Sequence, residues 1–463
     1  MPPPEPDPRA ATEAPPERKI GLIPCLAFAV GTMIGGGVFT LSGTAINEAG
    51  PAAIVSYLLA GIVMFLSALS FVAVAGRART GESGYGPIAR ILGPRWRFLT
   101  MWAFYLNGLT IITFLLVSFG DYLNEYFLSG VTPITAGLVA IVLIAALNLG
   151  PADVVGKAET YVVGLKVGLL LVFVAWGLGS ISDAHFTPFD PHGTSSVFSV
   201  AALLFTAYTG FNVVTNMAGS VKDPQRTVPR AVMLSIGISA VVYIGVIVAM
   251  LASGVKEFGP AGVGEAATAL MGDWGGYLIA FAACLSTLSG ANANLLGASE
   301  LILRLVATED LPPVAGRTTA KGRPFVSVLF IAAVSVVLVL VGDTNNIVTL
   351  ANVAALVAMI IVNAAAFQLA RTGWPGRGLR LPGGVTIPVL GGVACALQFP
   401  SLGLPEIIAG LVLIAAGLLL YRGRGVTKLG GDAVEDAEES VADVDTPVRS
   451  RRHVAAGRTR SGR

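Results

Sequence analysis

The chain has 463 residues, 54% of them hydrophobic and 13% charged, with a mean hydropathy of +0.75 and a formal charge of +2. Many apolar runs of about 20 residues, with no intervening segment long enough for a soluble catalytic domain, exclude a water-soluble enzyme and predict a polytopic membrane protein. Cys25, Cys284 and Cys395 all lie within apolar runs, so no disulfide framework is implied, and the small net charge calls for no nucleic-acid partner.

Residues 1–19 are rich in proline and charge, predict a disordered cytoplasmic tail, and contain no cleavable signal. The hydrophobic pattern then predicts about twelve spans, near 20–44, 50–75, 97–119, 132–149, 158–180, 195–219, 230–253, 274–303, 325–342, 346–370, 385–401 and 404–421. The third and the eleventh are the weakest of these patterns. A charged tail, acidic and then basic, occupies 423–463 and is predicted to be disordered. Residues 20–422 therefore form the membrane domain.

Arginine and lysine recur after the even-numbered spans. They stand at Arg77, Arg79, Arg90, Arg95 and Arg97, at Lys222, Arg226 and Arg230, at Arg317, Lys321 and Arg323, at Arg371, Arg377 and Arg380, and at Arg422, Arg424 and Lys428. The alternate loops hold Asp121, Glu125, Asp183, Asp190, Glu257, Glu265 and Asp343, with Lys256 as their one basic residue. Positive charge stays on the cytoplasmic side of short loops, so both termini are expected there, in a multi-pass protein of the cell membrane.

Two spans are interrupted. The first contains Gly31-Thr32-Met33-Ile34-Gly35-Gly36-Gly37, and the sixth contains Ala207-Tyr208-Thr209-Gly210-Phe211-Asn212. Backbone at membrane depth can be left unwound only where protein buries it or where it lines a cavity. Breaks five spans apart are what an inverted repeat of five helices produces, with a ligand held near the midplane between them. The second half of span one would start near Gly35 to Gly37 with unpaired N–H groups and a positive dipole end, which suits a carboxylate. Free carbonyls near Met33 and Ile34, and near Thr206 and Ala207, suit an ammonium group. Together they describe the backbone of a free amino acid, and the pattern reads as a transporter. In the competing reading Gly31 and Gly35 are a small-xxx-small packing pair with no ligand role.

Other chemistries find little support. Gly150 to Lys157 has one residue too many for a phosphate-binding loop, and Ala158 stands where a magnesium-binding hydroxyl belongs. His185 and His192 lie in a polar outer loop with prolines between them, read as solvated rather than metal-binding. No cofactor or metal is expected. An intramembrane enzyme would need paired acids, a His-Glu-x-x-His helix or a Ser/His pair at depth. A membrane sensor would need a folded cytoplasmic module, and a channel repeated filter loops.

Several motifs, in order, resemble the amino acid–polyamine–organocation (APC) family of permeases over most of residues 20–420. The first span is similar to the family's G-x-x-I-G-x-G-I-F segment. Gly81-Glu82-Ser83-Gly84-Tyr85 with Leu92-Gly93-Pro94 resembles its G-G-x-Y…G-P loop, and Val221-Lys222-Asp223-Pro224-Gln225-Arg226-Thr227-Val228-Pro229-Arg230-Ala231 its V-K-N-P-x-R-x-I-P-x-A segment. Leu285-Ser286-Thr287, Ala291-Asn292-Ala293-Asn294 and Asp310-Leu311-Pro312 resemble its eighth helix and exit loop. The resemblance implies an all-α, LeuT-like fold of twelve helices, with a 5+5 inverted repeat, discontinuous helices 1 and 6, and alternating access.

Carried over residue by residue, the resemblance places a substrate carboxylate on the amides of Gly35, Gly36 and Gly37. It places the ammonium on carbonyls near Thr32 and Met33 and in Phe205, Thr206, Ala207 and Tyr208, with Gly210 completing the second break. Thr206 stands where many relatives have an aromatic lid, and Asn212 where many have an acid. Lys166, about eight residues or roughly 12 Å into span five, stands where the resemblance implies a lysine replacing the sodium ion of sodium-coupled relatives. It is thus the expected proton-coupling group, with Ser286 and Thr287 facing it; the alternative is an ammonium that snorkels to the interface. The absence of Asp or Glu at mid-depth favours a neutral amino acid as substrate. Trp102, Tyr105 and Tyr208 could hold a cation or simply pack. Symport, exchange and cationic or polyamine transport all stay open, and so does the oligomeric state.

Overall fold

The computed structural model describes residues 20–422 except 80–81, 150–154, 181–185, 217–220, 320–322, 342–343 and 375–377, and leaves out the side chains of 155–160, 213, 216, 341 and 344. The predicted tails, the loop from Gly150 to Lys157, His185, Gly81, Asp183, Lys321, Asp343 and Arg377 lie partly or wholly outside that description. Among the described residues the regular structure is helical, apart from one parallel bridge between Ile20 and Val221.

A helix lies over each predicted span. The first is divided into α1 (Leu22–Met33) and α2 (Gly36–Ala49), the second is α3 (Ala53–Ala75), and the short α4 (Gly86–Ile91) precedes the third, α5 (Pro94–Tyr126). Then come α6 (Pro133–Leu149) and α7 (Val155–Leu178). The sixth span is α8 (Thr194–Leu204), a 3-10 turn over Phe205–Tyr208, and α9 (Asn212–Asn216). It is followed by α10 (Pro224–Ala252), the connecting α11 (Gly262–Met271), α12 (Asp273–Ala307), α13 (Phe325–Val341), α14 (Thr344–Arg371), α15 (Thr386–Ala396) and α16 (Leu404–Leu420). Among the described residues six stretches are long and apolar enough to cross a bilayer; the others there are shorter apolar helices.

The third segment, weak in sequence, lies within a 33-residue helix whose most apolar window is 83% buried, against 28% for the window in α7. α5 is therefore interior, packed along α12 and α14, and α7 is peripheral. The span predicted at 97–119 is there, and its pattern is weaker because an interior helix need not be uniformly apolar: in α5, Thr110, Thr113 and Ser118 bond carbonyls of their own helix. The eleventh segment is short, with α15 followed by a turn at Phe399–Ser401. Leucine, valine and phenylalanine face outward on the peripheral helices, for example Val142, Leu143, Phe330, Val337, Val412 and Leu419. That is the surface a lipid solvent requires and water would penalise.

The loops expected on one side meet one another. Lys222 N donates to Ile20 O at 2.8 Å, and Arg77 donates to Leu379 O at 3.2 Å while lying over the Trp374 ring. Arg97 is paired with Asp310 at 2.5 Å, and Arg422 N donates to Asp310 O. Burial and the nearby Arg380 charge hold the Arg77 guanidinium below its usual pKa. At the opposite ends, Asn47 exchanges two bonds with the Phe258 backbone at 2.8 and 2.9 Å, and Ala52 N donates to Phe189 O.

Candidate functional site

Helix α1 stops at Met33; Ile34 and Gly35 leave helical geometry, and α2 restarts at Gly36 with no side chain capping its N-terminus. The second break passes through the 3-10 turn to an extended Thr209 and then to Gly210 at φ +117°. Gly210 needs that left-handed conformation, and a Cβ there would stand 3.0 Å from Thr32 Cβ, so the two breaks are in contact. Gly37 against Ala207 repeats the contact on the other side.

Interrupting two helices leaves buried carbonyls without their i+4 donors, each costing about 1–3 kcal/mol if left unpaired. Unbroken helices supply the partners. Tyr243 of α10, fully buried, places its hydroxyl 2.7 Å from Met33 O and 2.8 Å from Ala207 O, bridging both breaks. Ser286 of α12 donates to Ile34 O and Gly35 O at 2.8 and 3.0 Å. Asn352 of α14 accepts from Thr206 N and donates to Leu203 O, which holds the second break open.

Beside these caps lies a cavity of about 370 Å³, counting the space open to solvent. Thr32, Met33, Gly35, Gly36 and Gly37 line it from the first break, and Thr206, Ala207 and Thr209 from the second. Ile111, Phe114 and Leu115 of α5 form an apolar wall, and Asn294 of α12 completes the lining. No charged residue is among the described lining side chains. Thr206 Oγ1 is buried without a hydrogen-bond partner, an unpaired polar atom at the cavity edge.

Three predicted residues of the second break lie behind the lining. Phe205 is fully buried, Tyr208 donates to Tyr57 O at 3.0 Å and packs on Tyr243, and Gly210 abuts Thr32. Trp102 and Tyr105 also pack rather than face the cavity: Trp102 stacks on Tyr105 and donates to Leu413 O. Both readings of the glycines have a physical basis. Of the packing pair, a Cβ at Gly31 would overlap Val163, whereas one at Gly35 would meet nothing closer than Thr32 O at 3.3 Å; a Cβ at Gly36 would overlap Leu115 Cδ2, and Gly36 also lines the cavity.

Lys166 on α7 is fully buried and its ammonium does not snorkel: Nζ donates to Gly31 O at 2.7 Å and to Ser289 Oγ at 3.0 Å. The expected hydroxyls are elsewhere. Ser286 caps the first break, and Thr287 donates to Ala283 O and Cys284 O of its own helix, leaving its methyl toward Gly36. The lysine thus meets α12 through Ser289 and grips α1, the first half of the broken helix. Among the described residues no group of His, Cys, Asp and Glu could hold a metal ion. His192 is exposed.

The amino acid permease family matches residues 20–412 of this chain. The chain belongs to that family. Full-length relatives agree: the branched-chain amino acid permease BcaP of Bacillus subtilis is 26% identical over 433 residues, covering 88% of this chain and 92% of the relative. The inner membrane transport protein YbaT of Escherichia coli is 26% identical, covering 73% of this chain and 80% of the relative. The chloroplastic cationic amino acid transporter 9 of Arabidopsis thaliana is 31% identical over 50% of this permease and 44% of its own length. The family is one of transporters and not of enzymes, and the permease is a multi-pass membrane protein of the APC superfamily.

Sequence reasoning did not single out Ile111, Phe114, Leu115, Tyr243 and Asn352. The α5 residues are spaced i, i+3, i+4 and share one helix face. Because α5 is apolar in this stretch, nothing in the pattern distinguishes the cavity face from the others. Asn352 is one of several amides along α14, with Asn345, Asn346, Asn363 and Gln368, so the sequence did not mark it out from the others.

Proposed function

We propose that this permease moves a neutral amino acid across the cell membrane by alternating access, coupled to protons. The observation that carries the reading is the cavity where the two breaks meet. It has the uncapped start of α2 on one side, the unpaired Thr206 hydroxyl on another, an apolar wall from α5, and no charged side chain in its described lining. The start of α2 suits a carboxylate. An ammonium would share the carbonyls of Met33 and Ala207 with Tyr243, each carbonyl having a second lone pair.

The proposal includes twelve spans in a LeuT-like 5+5 inverted repeat. Its support is the placement of the breaks in the first and sixth apolar segments, with a helix over every predicted span. Both termini lie in the cytoplasm, 20–422 is the permease domain, and 1–19 and 423–463 are its tails. Proton coupling runs through Lys166. Its ammonium holds Gly31 O, two residues before α1 ends, so losing or regaining a proton changes how firmly the inner half of the first broken helix is bound to α7.

A cationic amino acid or polyamine would be better held with a carboxylate near the cavity, and Glu48 and Glu300 both face outward. Relatives' names fall on both sides, one a branched-chain permease and another a cationic transporter. The lining favours the neutral substrate. The test is uptake of labelled amino acids and polyamines into proteoliposomes under a proton gradient, a sodium gradient, or preloaded substrate. Proton-driven, sodium-indifferent accumulation of a neutral amino acid is expected. Uptake only against preloaded substrate would replace symport by exchange.

A further inference from the structure

The α5 wall of the cavity contains one side chain whose position is unusually constrained. Leu115 is 3% exposed and reaches from α5 between two other helices. Its Cδ2 fills the space that a Cβ at Gly36 would need, at the start of α2, and its Cδ1 lies 3.1 Å from where a Cβ at Gly290 of α12 would be. The Thr287 methyl lies beside the same Gly36 position, 3.1 Å from that Cβ site. Leu115 therefore wedges into a slot that exists because both facing residues are glycine, and it forms the part of the α5 wall nearest the α2 N-terminus.

We propose that Leu115 determines specificity, setting the upper limit on the substrate's side chain and restricting the permease to neutral amino acids with short aliphatic side chains. This rests on the reading of the cavity as an amino acid site with its carboxylate at the start of α2. A carboxylate held there puts the substrate's Cα within reach of Leu115, and a side chain directed toward α5 meets Ile111, Phe114 and Leu115 as one wall. Neither Gly36 nor Gly290 has a side chain that could retract, so extra substrate volume must displace Leu115 itself. Cores at this density do not yield cheaply to one added methylene.

The test compares competition by alanine, valine, leucine, phenylalanine and tryptophan in proteoliposome uptake, with ligand-induced thermal stabilisation of purified protein as a second readout. One methylene in a closed pocket discriminates about tenfold or more. Leu115→Ala should therefore raise the preference for phenylalanine over valine by at least about tenfold. Leu115→Val, which trims less and endangers the fold less, should move it the same way by a smaller factor. Leu115→Phe should discriminate against leucine while retaining alanine. Unchanged preference ratios across these variants, in a parent that transports amino acids, would overturn the role of Leu115 alone. A parent that neither transports nor is stabilised by any amino acid would overturn the site reading as well.

Discussion

Replacing Tyr243 with phenylalanine tests whether the two breaks are held by one side chain. The hydroxyl lies 2.7 Å from Met33 O and 2.8 Å from Ala207 O and is fully buried, so Tyr243→Phe removes a donor shared by two carbonyls at helix interruptions. A single proton can fully satisfy one of them, so the loss is that of one buried hydrogen bond and not two. An unpaired buried group costs about 1–3 kcal/mol, while measured side-chain bonds within membrane bundles average about 0.6 and reach about 1.7 kcal/mol. The expected destabilisation is therefore about 1–2 kcal/mol, or very roughly 2–6 °C in the melting midpoint of the detergent-purified protein on the scale of large soluble domains. The carbonyls concerned border the cavity, so substrate affinity should fall as well. Tyr57→Phe is the control, since the Tyr57 hydroxyl pairs with Ser42 at 2.9 Å and caps no break. Melting and affinity in Tyr243→Phe indistinguishable from the parent would refute the account of how the interrupted backbone is stabilised.

Lys166→Ala should abolish acid stimulation of uptake while leaving some facilitated exchange, measured as initial rates across a pH series; stimulation equal to that of the parent would remove the lysine from coupling. The Arg97–Asp310 pair, with both side chains less than a tenth exposed, should be costly to half-remove. Arg97→Ala or Asp310→Ala should each lose about 3–5 kcal/mol, read as poor yield and a lower melting midpoint, and the double variant should lose less than the sum of the two. Gly36→Ala should fail to pack against Leu115, so transport loss in that variant is ambiguous by itself. In Gly36→Ala combined with Leu115→Ala, normal folding by size-exclusion profile with transport still absent would separate the binding role of Gly36 from its packing role.

What the sequence made legible follows from the range of each signal. Glycine runs are local, so both breaks could be placed to within a few residues, and hydrophobic runs placed a helix over each span. The buried position of Lys166 followed from its distance into an apolar run. Its partner did not: Ser289 lies one turn on from Ser286, an i, i+3 neighbour on the same side of α12, and nothing in the sequence tells which of these hydroxyls reaches the ammonium. The caps were less accessible still. Tyr243 is 210 residues from Met33 and Asn352 is 146 from Thr206, separations at which periodicity carries no information about contact. Hydropathy did find α5, but not that it is interior: its threonines and serines, which weakened the pattern, bond their own helix and are surrounded by protein.

The paired bonds between Asn47 and the Phe258 backbone join the far end of α2 to the connection ahead of α11. Gly43 packs against the same connection, where an added Cβ would come within 3.1 Å of Phe258 Cβ. The strand of chain around Phe258 therefore cannot shift without carrying with it the helix whose other end begins at Gly36. An antibody fragment or a crosslinker that immobilises that connection would therefore hold α2 as well, with the cavity itself left untouched.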